Sequence, residues 1–231
     1  MSKLKSVVLL SSGLDSTVNL YAARKQGNVL LALTFDYGQR AAKQEIRHSQ
    51  KITGNLKVPH LVVRIPFLKD LGNSSLTNRA QKIPSGRQVQ IADLKVSQKS
   101  AKAVWVPNRN GIFLNIAAAY AESLGAQLVI PGFNVEEAAT FPDNSLGFLK
   151  ALDQSFSYST ANQVKAYCFT TGLNKTQIVK LGNKLRVDWS QIWPCYHHRA
   201  KWCGQCESCQ RSLRALRAQK VDYSRYVLGG A

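Results

Sequence analysis

The stretch LLSSGLDSTV, Leu9 to Val18, decides how the rest of the chain is read. It closes the apolar run Ser6–Leu10, the kind of run that a strand buried on both faces requires. It then passes through Ser11, Ser12, Gly13, Asp15 and Ser16 into a stretch, Ser16–Lys25, where Val18, Leu20, Tyr21 and Ala22 recur at roughly helical spacing, closed by Gly27. A strand, a turn of small residues and a helix start together make an anion site. The turn's backbone N–H groups converge, and the helix adds its unpaired donors and positive dipole end. Small side chains let phosphate oxygens reach the backbone, Ser11, Ser16 and Thr17 can donate hydroxyls, and Asp15 can hold a metal ion. The Gly-Lys-Ser/Thr ending of a Walker loop is missing. The competing reading is an ordinary helix capped by Ser or Asp.

Working outward, the first half alternates. Val29–Phe35 and His60–Ile65 read as strands, Ala41–Ile52 and Gly111–Leu124 as helices, and Gln127–Ile130 as a strand ended by Pro131-Gly132. Strands separated by helices of this length predict an α/β fold with a doubly wound, mostly parallel sheet. Between Arg64 and Arg109 the pattern lapses while Lys69, Arg79, Lys82, Arg87, Lys95, Lys99 and Lys102 accumulate, so residues 66–104 read as a basic lid or insertion. The expected organisation is an α/β domain over 1–185 and a cysteine-bearing helical segment over 186–231.

That last segment contains CYHHRAKWCGQCESC, which sets Cys195, Cys203, Cys206 and Cys209 at C-x7-C-x2-C-x2-C. Two-residue spacers let a tight turn aim two thiolates at one metal, and four thiolates suit tetrahedral Zn2+ with no open position, hence a structural role. A four-iron cluster is the rival; the upstream fourth ligand and the absence of a following Cys-Pro favour zinc. His197 and His198 are expected outside the ligand set, and Cys168 is expected to be a buried thiol. Four clustered cysteines suit a reducing cytoplasm better than a disulfide framework.

The 231 residues carry 31 basic and 13 acidic side chains, a net charge of +18, which favours anionic partners without choosing among them. The N-terminal apolar run is too short for a secretory signal and no run is long enough to cross a bilayer, so no membrane association is expected. Arg211, Arg214 and Arg217, spaced three apart, could form a phosphate stripe in a zinc-stabilised RNA-binding module. Such a module, however, has no use for an anion-binding turn between a buried strand and a helix.

Ser-x-Gly-x-Asp-Ser after the first strand resembles the pyrophosphate loop of the PP-loop superfamily, whose members split ATP between its α and β phosphates. Ser12 stands where that loop usually has its first glycine. TFDYGQR (Thr34–Arg40), SSLT (Ser74–Thr77), VPNRN (Val106–Asn110) and SQIWPCYHH with the cysteine run recur in the same order in the QueC family, so the resemblance covers essentially the whole chain. It implies ATP-dependent conversion of 7-carboxy-7-deazaguanine and ammonia to the 7-cyano compound, through an acyl-adenylate and an amide. It implies ATP contacts from Leu10, Ser11, Ser12, Gly13, Leu14, Asp15, Ser16, Thr17, Val18, Asn19 and Leu20. Mg2+ would accompany the nucleotide, and Asp15, Arg40, Arg109 and Lys175 would act on the phosphates. Phe35 and Tyr37 would hold a base at the carboxyl edge of the sheet. A cytoplasmic homodimer acting on small molecules, with no need of nucleic acid, completes the expectation.

The chain departs from the family after Ile130, reading GFNVEEAATFPDNS. Glu137 stands where an Asp usually falls, Phe141 where a Tyr does, and Asn144 and Ser145 replace Cys and Arg. Glu137 and Phe141 are therefore expected at the substrate, the carboxylate facing the guanidine-like edge of a deazaguanine with Glu136 beside it. The departure leaves two further readings: a QueC-like relative that passes the activated acid to another amine, and a PP-loop enzyme that modifies tRNA.

Overall fold

The structure is a computed structural model and describes residues 4–229. Five parallel strands, β1 (Lys5–Leu9), β2 (Asn28–Asp36), β3 (His60–Arg64), β4 (Leu128–Ile130) and β5 (Lys165–Ala166), form one sheet in the order β3-β2-β1-β4-β5. The chain winds outward from β1 in one direction and from β4 in the other. The crevice at the carboxyl ends of these two neighbours is thus the topological switch point, where open α/β sheets bind ligands.

Alternation along the inner strands sorts the core. Val7, Leu33 and Phe35 face α4 (Arg109–Ser123) and α6 (Leu146–Ser159), packing on Leu114, Ala117, Leu152 and Phe156. Val8, Leu10 and Ala32 face α1 (Leu14–Gln26) and α2 (Ala42–Leu56), packing on Leu20, Ala23 and Ile52. Phe156 has no exposed surface, so truncation to Ala would cost about 3–5 kcal/mol. The doubly wound parallel sheet is the one the alternation predicts. Helix α1 starts at Leu14 rather than Ser16, and α6 occupies a stretch with no expected element.

A third core joins α1 to α7 (Lys175–Lys184) and α8 (Glu207–Ala218): Leu14, Val18, Ile178, Val179, Ala215 and Leu216 pack with Cys195, Cys206 and Cys209. Segment 66–104 is irregular up to α3 (Leu94–Val104), which Asp93 caps through Val96 N–H. It contributes Leu76, Ile83 and Val104 to this third core and pairs Ser85 with Cys206 in an isolated bridge. These buried residues sit too far apart in sequence to show a period, which is why the pattern lapses there. One further helix, α5 (Val135–Ala138), follows β4. Among the described residues, no helix is long and apolar enough to cross a membrane.

Candidate active site

The switch-point crevice holds a cavity of about 230 Å³. Its floor is the loop between β1 and α1. Gly13 occupies the N-cap position of α1 and no side chain caps that helix, so the first turn presents its N–H groups to the cavity. The hydroxyls of Ser11 and Ser16 lie 3.1 Å apart at this mouth. Gly132, after β4, presses against the same turn: a Cβ built there would lie 2.5 Å from Ser16 N. Only glycine allows that approach.

Ser12, the departure from the family loop, adopts φ +57°, the left-handed region that glycine enters freely. A side chain there costs about 1–2 kcal/mol. Two hydrogen bonds oppose the cost: Ser12 Oγ donates to Ser11 O at 2.6 Å, and Ser12 O accepts from Trp193 N–H at 2.8 Å.

Lys175, the first residue of α7, is buried beside the loop and pairs with both Asp15 and Glu137, the latter at 2.7 Å. Asn134 donates to Asp15 at 3.3 Å and caps α5 through Glu137 N–H at 3.0 Å. Burial pushes the Asp15 carboxyl up to about 6, although Lys175 pulls the other way. Burial also acts on Lys175, but the two carboxylates outweigh it and hold the ammonium above the ordinary lysine range. Burial works on Glu137 too, yet Lys175 and Arg211 keep its carboxyl below the usual range. Asp15 Oδ1 is buried with no hydrogen-bond partner. A carboxylate with one oxygen held by a lysine and the other free is ready to receive a cation.

The far wall is aromatic. Phe35 stacks on Phe113 at 4.1 Å, and Tyr37 packs against the same ring at 5.5 Å. Arg109 opens α4, donates to Tyr37 Oη at 3.2 Å and lies over its ring. Phe141 lines the cavity with Trp105 stacked behind it at 6.1 Å.

Most of the expected site is thus brought together. Leu10, Ser11, Gly13, Leu14, Asp15, Ser16, Phe35, Tyr37, Arg109, Glu137, Phe141 and Lys175 all line one cavity. Others lie outside its lining. Thr17 is buried, Val18 and Leu20 belong to the cores on either side of α1, and Asn19 bonds Thr170 Oγ1 at 2.6 Å and Phe169 N–H at 2.9 Å. Ser12 acts through its backbone. Arg40 is held by the insertion, donating to Ser75 O and Asn78 O at 2.9 Å each, because that irregular segment leaves carbonyls unpaired. Glu137, expected at a guanidine edge, lines the cavity with one carboxylate oxygen on Lys175.

The arginine stripe is corrected more sharply. Arg211 is only 4% exposed and pairs with Glu207 at 2.8 Å and Glu136 at 3.2 Å, while Arg217 donates to Tyr223 Oη at 2.9 Å. Buried Arg211 is withdrawn from any such stripe, and the exposed Arg214 and Arg217 each already meet an acceptor of the chain. Glu45, Tyr196, Glu207 and Arg211 line the cavity without having been expected there. Burial raises the Glu45 carboxyl to about 7 against the pull of its bond from Gln39, 2.8 Å long. An acid in a first helical turn is ordinary dipole complementation, so no sequence signal singled it out.

The four cysteines meet with all Sγ atoms within 4.8 Å of one another, with no disulfide among them. Backbone N–H groups of Cys203 and Cys206 point at Cys195 and Cys203 sulfurs, 3.3 Å each, as donors to thiolates do. Four sulfurs round a tetrahedral ion with ~2.3 Å bonds stand about 3.8 Å apart, so the donor set fits a metal. Neither His197 nor His198 belongs to the cluster.

The family model described as queuosine biosynthesis protein QueC matches residues 5–220. The chain belongs to the QueC family. A 7-cyano-7-deazaguanine synthase from Bdellovibrio bacteriovorus is 58% identical over 219 residues, covering 94% of this chain and 95% of that protein. The synthase of the same name from Desulforamulus reducens is 48% identical over 213 residues, covering 92% and 93%. Among solved structures, an NH3-dependent NAD synthetase from Campylobacter jejuni aligns with 83% of this chain and 68% of its own at 17% identity, with a TM-score of 0.46. Of the QueC motifs, TFDYGQR and VPNRN supply the aromatic wall and Arg109, and the cysteine run supplies the metal-competent cluster.

Proposed function

We propose that this chain is a 7-cyano-7-deazaguanine synthase that uses ATP and ammonia to turn the 7-carboxylate of a deazaguanine into a nitrile. The observation that carries the proposal is Lys175 held between Asp15 and Glu137 at the uncapped start of α1, in the cavity walled by Phe35, Tyr37 and Arg109. Near-full-length relatives bearing that name support it.

The residues divide the work. The first turn of α1, with Ser11 and Ser16, receives the pyrophosphate of ATP, and Asp15 Oδ1 would hold the magnesium that travels with it. A substrate carboxylate oxygen attacks the α phosphorus and pyrophosphate leaves. Lys175 and Arg109 then face the negative charge that gathers on the phosphoryl oxygens. Ammonia attacks the acyl carbon and AMP leaves with one carboxylate oxygen. A second activation, on the amide oxygen, expels the other oxygen as AMP and leaves the nitrile. Both carboxylate oxygens therefore end in AMP, two ATP being spent per nitrile. The four cysteines would hold zinc, outside the chemistry, and the arrangement would serve small molecules in the cytoplasm, in a homodimer that needs no nucleic acid.

The test is mass spectrometry of the protein with ATP, magnesium, ammonium and 7-carboxy-7-deazaguanine labelled with 18O in the carboxylate. Nitrile with two labelled AMP per turnover is expected. Substrate-dependent AMP release that stops at the adenylate or amide would replace this reading with transfer to another acceptor.

A further inference from the structure

Because Lys175 opens α7, the backbone at that point sets where its ammonium can reach. Its N–H donates to Glu136 Oε1 at 2.9 Å. The other oxygen of Glu136 accepts from Arg211 Nη1 at 3.2 Å and from Arg214. The Arg211 guanidinium is gripped in turn by Glu207, which accepts from Nε at 3.0 Å and Nη2 at 2.8 Å, and by Ser97 Oγ at 3.0 Å. Glu207 is fixed on its remaining side by Ser100 Oγ at 2.6 Å. It lies between Cys206 and Cys209, in the first turn of the helix whose N-cap position Cys206 occupies.

A buried ion pair is a poor source of stability, since an apolar replacement of equal shape often does as well. Four directional bonds on one guanidinium do something else: they fix position in three dimensions. Here they join the first turn of α8, itself pinned by two members of the cysteine cluster, to the first turn of α7. We infer that Glu136 and Arg211 form a strut that positions Lys175, with the cysteine cluster as its anchor. Both are positioning residues: they reach the reaction through Lys175. Arg214 shares Glu136 but is 42% exposed in its side chain, so solvent screens its pair and the strut does not depend on it.

The inference rests on the synthase reading, and its test separates the two. Glu136→Gln keeps a carbonyl for Lys175 N–H but loses the charge that draws Arg211 in. Its kcat for nitrile should fall about 10- to 100-fold, as a misplacement near 1 Å costs elsewhere. The KM for the deazaguanine should change less than about twofold if only uniform binding is spared. In a Lys175→Ala background the same substitution should change nothing further. A readout independent of turnover is acylation of Lys175 by acetic anhydride, followed by peptide mass spectrometry: protected in the native chain, several-fold faster in Glu136→Gln. Arg211→Lys, which keeps the charge and loses the fork, should fall between, and Arg214→Met should match the native chain. Native kcat and native Lys175 labelling in Glu136→Gln would overturn the strut, as would an equal loss in the Lys175→Ala background. Were the native chain to make no nitrile, the synthase reading would fall while the labelling ratio still decided the strut. Were Glu136→Gln to lose its fold, Arg211→Lys with the same two readouts would decide.

Discussion

The two ends of the Asp15–Lys175 pair are built in opposite ways. On the Asp15 side, polar groups are left open: α1 has no cap, Asp15 Oδ1 has no partner, and Ser12 holds a left-handed backbone. On the Lys175 side, nearly everything is closed. Asn174 and Gln177 form a reciprocal capping box, Arg211 is saturated by two acids and a serine, and N–H groups point at the cysteine sulfurs. The difference separates receiving from holding. Unpaired donors and acceptors cost about 1–3 kcal/mol each when buried, and a fold keeps them where a ligand will complete them. Paired groups fix geometry where nothing is to be bound.

The largest effect should come from breaking the closed side. Cys206→Ala would remove a ligand from the proposed zinc site, and a structural zinc of that kind is worth on the order of 10 kcal/mol to folding. Loss of a cooperative thermal transition together with loss of bound zinc is expected; a soluble, cooperatively melting, metal-free variant would contradict it. Asp15→Ala breaks the open side instead. Turnover should drop about 1000-fold or more, roughly 4 kcal/mol of barrier, with zinc content and melting temperature kept. In the native chain, kcat/KM for ATP should decline as pH falls through about 6, where Asp15 takes up its proton.

Gly132→Ala tests the close approach that shapes the open side. Its Cβ meets loop backbone, so the loop must shift, costing about 1–3 kcal/mol in stability. ATP affinity, measured by calorimetry, should weaken more than affinity for the deazaguanine. Glu45→Gln probes a cavity carboxyl that is paired on one oxygen only. The folded carboxyl keeps its proton up to about pH 7, while an unfolded one releases it near pH 4.3. The native state holds the extra proton between those values, so stability declines as pH rises across them. Removing that decline should make the variant more stable than the native chain by about 1–3 kcal/mol at pH 8 but not at pH 4, by denaturant melts. Ser12→Gly should give the smallest change, a gain of up to about 1 kcal/mol from the relieved backbone, with turnover retained.

Local pattern was enough for the sheet, the loop and the cysteine cluster, because each is written in neighbouring residues. Ser11–Ser16 lies within one turn, and the strands show their burial as unbroken apolar runs. What failed to show was contact across the chain. Nothing near Arg40 reveals that Ser75 and Asn78 carbonyls will claim it, and the three-residue spacing of Arg211, Arg214 and Arg217 looks the same whether acids or phosphates face it. Glu137 lines the cavity, but nothing near it in sequence reveals its pairing with Lys175, 38 residues away. Charged side chains declare their class locally and their role only when their partners arrive.

The hydrogen bond from Trp193 N–H to Ser12 O has a consequence for how the chain is made. Its two ends are separated by about 180 residues, and Lys175 stands nearly as far from Asp15. At roughly 5–20 residues per second, a ribosome takes on the order of 10–40 s to bridge that gap. The loop between β1 and α1 therefore leaves the exit tunnel long before the residues that complete its contacts. During that interval the nascent chain carries a half-built cavity, whose walls are completed only as the cysteine segment emerges.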